Sequence, residues 1–274
     1  MERVTVNAHA KLNLTLEVTG RDGAFHTLDS LAVSLDLCDA VSAKRRPQEG
    51  FYVVMRGMGC EHLPPQENNA VRAAEMFFAA FPQAEGADIA VEKRIPVGGG
   101  LGGSSADAAG VLLALSRLFG VKKEELLPLA RALGSDTAMQ LFSGAFRMQG
   151  RGEKLTPVAG MPKLYFVLLC PEGGVSSAAC FSAFDALGGC GSLGMTARAI
   201  ARFSAGELEA AAGECKNDLL PAACSLSPLA AGMTGSGSTV FALFGGREAR
   251  DRALERIKQG NFTALAAESI QNEE

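Results

Sequence analysis

The chain has 274 residues, of which 47% are hydrophobic, and a formal net charge of −4. That is enough apolar material for one large domain or two small ones sharing a cleft. Lys44-Arg45-Arg46 is the one dense basic run, and a solvated turn accounts for it, so no nucleic-acid surface is expected.

The N-terminus, Met1-Glu2-Arg3-Val4-Thr5, enters a patterned segment without an apolar signal core. No stretch approaches the ~18 apolar residues of a membrane span, so no membrane partner is expected. Cys38, Cys60, Cys170, Cys180, Cys190, Cys215 and Cys224 are scattered, with no Cys-x-x-Cys pair. This is the pattern of reduced thiols in a cytoplasm. The histidines offer no ligand spacing with them, and no metal held by protein residues alone is expected.

From Val4 to Val18 every second residue is apolar, while Thr5, Asn7, His9, Lys11, Asn13, Thr15 and Glu17 fall on the other face. Period two predicts extended structure. The run is long for one strand, so a bulge or break is expected within it. Lys11 and Asn13 then line either a cleft or a solvated sheet face. A turn at Arg21-Asp22-Gly23 precedes a second extended run at Leu31, Val33, Leu35 and Leu37.

Further strands are predicted over 51–55, 89–95, 164–169 and 239–244, and helices over 69–80, 105–119, 123–132, 197–202, 207–214 and 247–258. The opening strands arrive without intervening helices. An α+β arrangement with antiparallel pairing is therefore expected, rather than a doubly wound sheet. A candidate domain boundary lies across 144–157.

The richest local signal is Ile95-Pro96-Val97-Gly98-Gly99-Gly100-Leu101-Gly102-Gly103-Ser104-Ser105-Ala106-Asp107. A predicted strand enters it and an apolar helix leaves it, with Gly120 as the stop. Glycines let the backbone approach a ligand closely, and the helix start adds free N–H groups and a positive dipole end. Together they suit phosphate. Ser104 and Ser105 can cap the helix, contact phosphate oxygens or help hold Mg²⁺. The motif GxxxxGK[ST] does not fit, because no lysine follows the glycines. A loose GxGxxG at Gly98, Gly100 and Gly103 lacks an acidic residue ending a second strand.

This loop resembles that of the GHMP kinase family, which reads roughly P-x-x-x-G-L-x-S-S-A. The extra residue before the serine pair is similar to one branch of the family, with Ser104 standing at that branch's third glycine and Ala106 at its second serine. Other segments resemble the same branch: Ala10-Lys11-Leu12-Asn13-Leu14, Arg21-Asp22-Gly23-Ala24-Phe25-His26, Glu67-Asn68-Asn69, Leu133-Gly134-Ser135-Asp136, Gly150-Arg151-Gly152-Glu153, Asn217-Asp218-Leu219 and Met233-Thr234-Gly235-Ser236-Gly237. Gly23-Ala24 departs from the branch's D-G.

The resemblance implies a two-domain fold of ribosomal-protein-S5-like type, divided at 1–150 and 151–274, with ATP and substrate meeting in a cleft between domains. It implies a cytoplasmic kinase, monomer or homodimer, that uses ATP and Mg²⁺ to phosphorylate a hydroxyl of a cytidine diphosphate-linked polyol. Asp136, read as sitting in a turn made by Gly134 and Ser135, takes the hydroxyl proton, and Lys11 fixes it and stabilises developing charge. Pro96, Gly98, Gly99, Gly100, Leu101, Gly102, Gly103, Ser104 and Ser105 form the phosphate loop.

Lys93 is either a nucleotide contact or an exposed strand lysine, and Asn69 borders the adenine. The resemblance further implies that His26 meets the cytosine edge, with Phe25 and Phe181 on the two faces of the base. Asn13 contacts substrate or orients Lys11. Thr234, Gly235 and Gly237 pack a second tight loop against the first. Two other readings stay open: a GHMP kinase acting on homoserine, a sugar or a mevalonate-type alcohol, and a non-catalytic nucleotide-binding descendant.

Overall fold

The computed structural model describes residues 2–60, 68–171, 173, 175–189, 191–226, 233–257 and 260–272. Glu67, Cys190, Lys258 and the final residues Glu273 and Glu274 lie outside the described residues. Packing divides the chain into two compact units that interleave in sequence. One comprises Met1–Ala10, Leu37–Val97 and Gly102–Phe142, and the other Lys11–Asp36, Gly98–Leu101 and Ser143–Glu274. A single cut at residue 150 does not follow this packing, because two long opening strands, β1 (Arg3–Asn13) and β3 (Phe25–Arg45), contribute to both units.

In the first unit the C-terminal half of β3 pairs antiparallel with β5 (Gly86–Lys93), and β5 pairs parallel with β4 (Gly50–Gly57). Alternation along β5 buries Ala87, Ile89 and Val91. Helix α1 (Asn69–Ala80) follows the predicted span and is capped by Asn68, whose side chain accepts from the Ala70 amide at 2.8 Å. Its buried residues Ala70, Ala73, Ala74 and Phe77 form one stripe, which packs on α2 (Gly103–Phe119). Gly120, at φ 72°, ends α2.

The helix predicted over 123–132 divides into a 3₁₀ turn, Lys123–Leu126, and α3 (Leu127–Leu133). Pro128 at the start of α3 has no N–H to continue a ladder from the preceding turn. A short helix, α4 (Ser135–Gln140), follows.

In the second unit β2 (Glu17–Asp22) forms a hairpin with the N-terminal half of β3, with a register shift between Val18 and Gly20. Strand β6 (Ala145–Gly150) pairs antiparallel with the same half of β3, and β7 (Lys154–Pro157) pairs with β6. A separate antiparallel sheet runs β10-β8-β9, from Phe262–Glu268, Tyr165–Pro171 and Val240–Phe244. Helices α5 (Ser177–Ala186), α6 (Met195–Ser204), α7 (Leu208–Glu214) and α8 (Leu220–Leu226) precede β9, and α9 (Arg247–Glu255) packs on this sheet. Leu16, Val18, Cys180, Phe184, Leu219, Ala222, Ala223 and Met233 form one apolar core.

The expected break in the opening run falls at residues 14–16, between β1 and β2. The solvated alternative holds for Thr5 and Asn7, which are exposed, and is overturned further along the face, where Lys11, Asn13, Thr15 and Glu17 are all buried. Burial is tolerable because each finds a partner. Asn13 Nδ2 donates to Ser30 Oγ at 2.7 Å, and Thr15 Oγ1 accepts from the Leu31 amide at 2.9 Å. The Glu17 carboxylate accepts from the amides of Gly194 and Thr196 at the start of α6. Among the described residues no helix is long and apolar enough to cross a membrane.

Candidate active site

The glycine loop begins after Ile95 and Pro96. Gly98, Gly100 and Gly102 take φ values of 74°, 75° and 71°, a left-handed conformation that an L side chain strains to adopt. At Gly100 space forbids a side chain as well, since a Cβ would stand 2.4 Å from the Thr234 carbonyl oxygen and 3.0 Å from that of Gly237. The second loop therefore lies directly on the first, as expected for Thr234, Gly235 and Gly237.

Three bonds support this packing. The Thr239 amide donates to the Gly99 carbonyl at 3.1 Å, the Asn13 amide to Thr234 Oγ1 at 2.8 Å, and Asn217 Nδ2 to the Gly235 carbonyl at 2.7 Å. Lys11 sits at this junction. Its amide donates to the Leu101 carbonyl at 3.0 Å and its ammonium to Asn13 Oδ1. A Cβ at Gly235 would fall 3.1 Å from Lys11 Nζ. A buried ammonium beside the second glycine loop places a positive charge at the junction of the two loops.

The downstream half of the loop runs into α2. Gly102 is the N-cap in a left-handed conformation, with no side-chain cap, and the first intrahelical bond is Ala106 amide to Gly102 carbonyl at 2.8 Å. The amides of Gly103, Ser104 and Ser105 thus have no acceptor within the helix, and a positive dipole end sits with them. The capping option for Ser104 and Ser105 is corrected: neither caps the helix, which starts two residues before Ser105. Ser104 is exposed, and its Oγ accepts from Asn69 Nδ2 at 2.7 Å. Asn69, the first residue of α1, is thereby brought to the first turn of α2, with Arg72 Nη1 on its Oδ1 at 3.2 Å.

Lys93 fits neither the exposed nor the nucleotide-facing expectation. It is 5% exposed, and its ammonium contacts Asp39 and, at 2.7 Å, Asp107. Burial alone would lower its pKa, but the Asp107 and Asp39 carboxylates reverse that and raise it. Burial pushes Asp107 up to about 7 against the opposing pull of Lys93.

Asp136 is half-buried in the first turn of α4 rather than in a turn ahead of it. Gly134, in extended conformation, ends α3 and starts α4, so the chain changes direction there and Ser135 is already helical.

The three residues expected around a cytosine are all in the second unit. His26 Nε2 pairs with Asp185 Oδ1 at 2.8 Å, and its ring stacks on Phe181 with centroids 4.7 Å apart and planes at 19°. Phe25, its strand neighbour, is 59% exposed and lies under the Arg151 guanidinium at 4.4 Å. Neighbouring strand residues point to opposite faces, so the expected pairing of Phe25 and Phe181 across one base is not preformed. His26 occupies the face of Phe181 instead. Arg21 and then His26 hold the Asp185 carboxyl below its usual range.

Sequence reasoning missed Asp39, Asp185 and the structural part of Asp107, because their partners lie far off in sequence. Asp218 accepts from the amides of Val18 and Ser192, tying β2 to the segment ahead of α6. Among the described residues no group of three or more His, Cys, Asp or Glu side chains is arranged to hold a metal ion.

The family pattern described as GHMP kinases N terminal domain matches residues 68–144, and that described as GHMP kinases C terminal matches 182–262. A curated relative from Polaromonas sp. is 39% identical over 261 residues, covering 87% of this chain and 82% of the relative. The chain belongs to the GHMP kinase family. That relative is named 4-diphosphocytidyl-2-C-methyl-D-erythritol kinase, as is one from Desulfitobacterium hafniense, 35% identical over 279 residues with 95% and 93% covered.

A crystal structure of 4-(cytidine 5′-diphospho)-2C-methyl-D-erythritol kinase superposes on this GHMP kinase with a TM-score of 0.79. Its identity is 30%, with 97% of this chain and 98% of that one covered. A homoserine kinase from Cytophaga hutchinsonii, 18% identical with a TM-score of 0.74 and 99% and 96% covered, shows the shared fold alone.

Proposed function

We infer that this GHMP kinase transfers the γ-phosphoryl group of ATP to the 2-hydroxyl of 4-diphosphocytidyl-2-C-methyl-D-erythritol. The observation that carries the phosphoryl-transfer part is the buried Lys11 ammonium set against Gly235, in the loop that packs on Gly100. The acceptor is supported by the shared name of relatives at 35–39% identity that align over most of this chain.

Phosphoryl transfer asks a protein mainly for positioning and charge stabilisation. The free amides of Gly103, Ser104 and Ser105 hold phosphate oxygens. Lys11 offsets negative charge that develops on the transferred group or the attacking oxygen. Asp136 accepts the hydroxyl proton as the new O–P bond forms and the bond to the β-phosphate oxygen breaks, releasing ADP. The exposed Ser104 hydroxyl is a hard oxygen donor that would help hold Mg²⁺, an ion that would offset charge on the triphosphate. His26 and Phe181 recognise the cytosine, with His26 leaving the face of Phe181 or presenting its own free edge.

One feature favours a smaller alcohol, namely the stacked His26 that fills the face of Phe181. The test is ADP release from ATP and Mg²⁺ with the cytidyl substrate, against homoserine, sugars and mevalonate. Turnover with the cytidyl compound alone is expected. Turnover with another alcohol alone would overturn the acceptor assignment and leave the kinase chemistry standing.

A further inference from the structure

Lys93, Asp39 and Asp107 meet where β5 ends and α2 begins, and all three side chains are buried. Asp39, on β3, uses one carboxylate oxygen for Lys93 and the other for the amides of Arg94 and Ile95, the latter at 2.8 Å. It therefore fixes the chain just as it leaves β5. The Lys93 carbonyl accepts from the Met58 amide at 3.3 Å, which fixes the backbone of the same residue from β4's end. Asp107, in the second turn of α2, ties the helix to this point through Lys93 at 2.7 Å.

The ammonium lies directly under the helix start, since a Cβ at Gly103 would stand 3.5 Å from Lys93 Nζ. The other Asp107 oxygen, Oδ1, is buried with no hydrogen-bond partner among the described residues. A buried carboxylate so under-served is costly unless its cation stays in place. The cluster therefore has a single satisfactory arrangement, and that arrangement sets the orientation of the first turn of α2.

We propose that Lys93 is a positioning residue for phosphoryl transfer, which acts through Asp107 to aim the free amides of Gly103, Ser104 and Ser105 and does not itself touch the nucleotide. The proposal rests on the reading of this turn as the triphosphate cradle. A lysine that contacts ATP needs its charge directed at the ligand. Here the charge is spent on two buried carboxylates, and its loss strands both of them.

The two roles separate in a double-variant experiment that reads ATP binding by calorimetry, independently of which alcohol is phosphorylated. Lys93→Met weakens ATP affinity by roughly ten- to a hundredfold, the scale of a misplacement near 1 Å, while the affinity for the cytidyl substrate holds. Asp107→Leu breaks the same tie and costs a comparable loss, so the double variant is no weaker than the worse of the two single changes. Losses that multiply in the double variant would mean that Lys93 acts on ATP independently of Asp107 and overturn the proposal. If Lys93→Met does not fold, Asp107→Asn decides. It keeps the shape and drops the charge, and an ATP affinity equal to that of the unaltered protein would overturn the positioning role. Failure of the unaltered protein to bind ATP would overturn the cradle reading and this role with it.

Discussion

Lys11 Nζ and the backbone of Gly235 are so close that a methyl group on Gly235 would stand 3.1 Å from the ammonium and 2.9 Å from the Gly100 carbonyl oxygen. Gly235 also holds φ at 58°, where an L side chain is strained. Gly235→Ala must therefore move either the second loop or Lys11. The expected result is a fall in kcat of about a hundredfold, the cost of misplacing a reacting group by ~1 Å. The overall fold should persist, because this glycine contributes to the glycine-loop junction rather than to the apolar core. Steady-state kinetics alongside a melting curve checks it. A kcat within a factor of about two of the parent would show that the Lys11 position is not critical.

Asp136 belongs to the first turn of α4, and its role as base predicts a clean separation of binding from chemistry. Asp136→Asn keeps the size and the helix start but cannot accept the proton. The turnover rate should drop by roughly 10²- to 10⁴-fold, the usual worth of general base catalysis, while ATP affinity stays within about twofold. Comparing calorimetric ATP binding with single-turnover product formation provides the check. An unaltered single-turnover rate would remove Asp136 from the mechanism.

Much of the framework was legible because the relevant signals are local. The helix predicted over 69–80 is α1 to the residue, and alternation in the opening run marked β1 and the need for a break without saying where it falls. β10 was not legible, since Phe262-Thr263-Ala264-Leu265-Ala266-Ala267-Glu268 is alanine-rich and carries no strong strand period. α4 is too short to show a helical period. At the site, local glycine chemistry announced the loop, but the destination of each charged side chain depended on partners distant in sequence. Lys93 could be read as a nucleotide contact or an exposed strand lysine until Asp39 and Asp107 came into place, and His26 gave no sign of Asp185.

The aromatic pair gives a prediction specific to the acceptor. Phe181 stacks on His26 in the second unit, and both are assigned here to the cytosine. Phe181→Ala removes a stacking surface worth about 1–3 kcal/mol per base, so the KM for the cytidyl substrate should rise roughly 5- to 150-fold. The KM for ATP should not change. Initial-rate measurements with each substrate varied in turn separate the two, and an equal rise in both would point to a general folding defect.

Asp107 predicts a pH dependence of stability with a definite sign. Burial raises its folded-state pKa from the ordinary carboxylate value of 3.8 to about 7. Between those values the folded chain holds a proton that the unfolded chain has released. Folding is therefore favoured at the acid end of this window, and that contribution is lost as pH rises towards 7. Above about pH 7 both states are ionised at this position, and no further change is expected from it. Asp107→Asn carries no titrating group, so its stability should lack this decline. The two proteins can be compared by urea unfolding from pH 5 to pH 8, because carboxylates outside the Lys93 cluster affect both curves alike. The difference in midpoint, variant minus parent, should grow with pH up to neutrality and then level off. A constant difference across the range would show that Asp107 is ionised throughout, with Lys93 holding it so despite the burial.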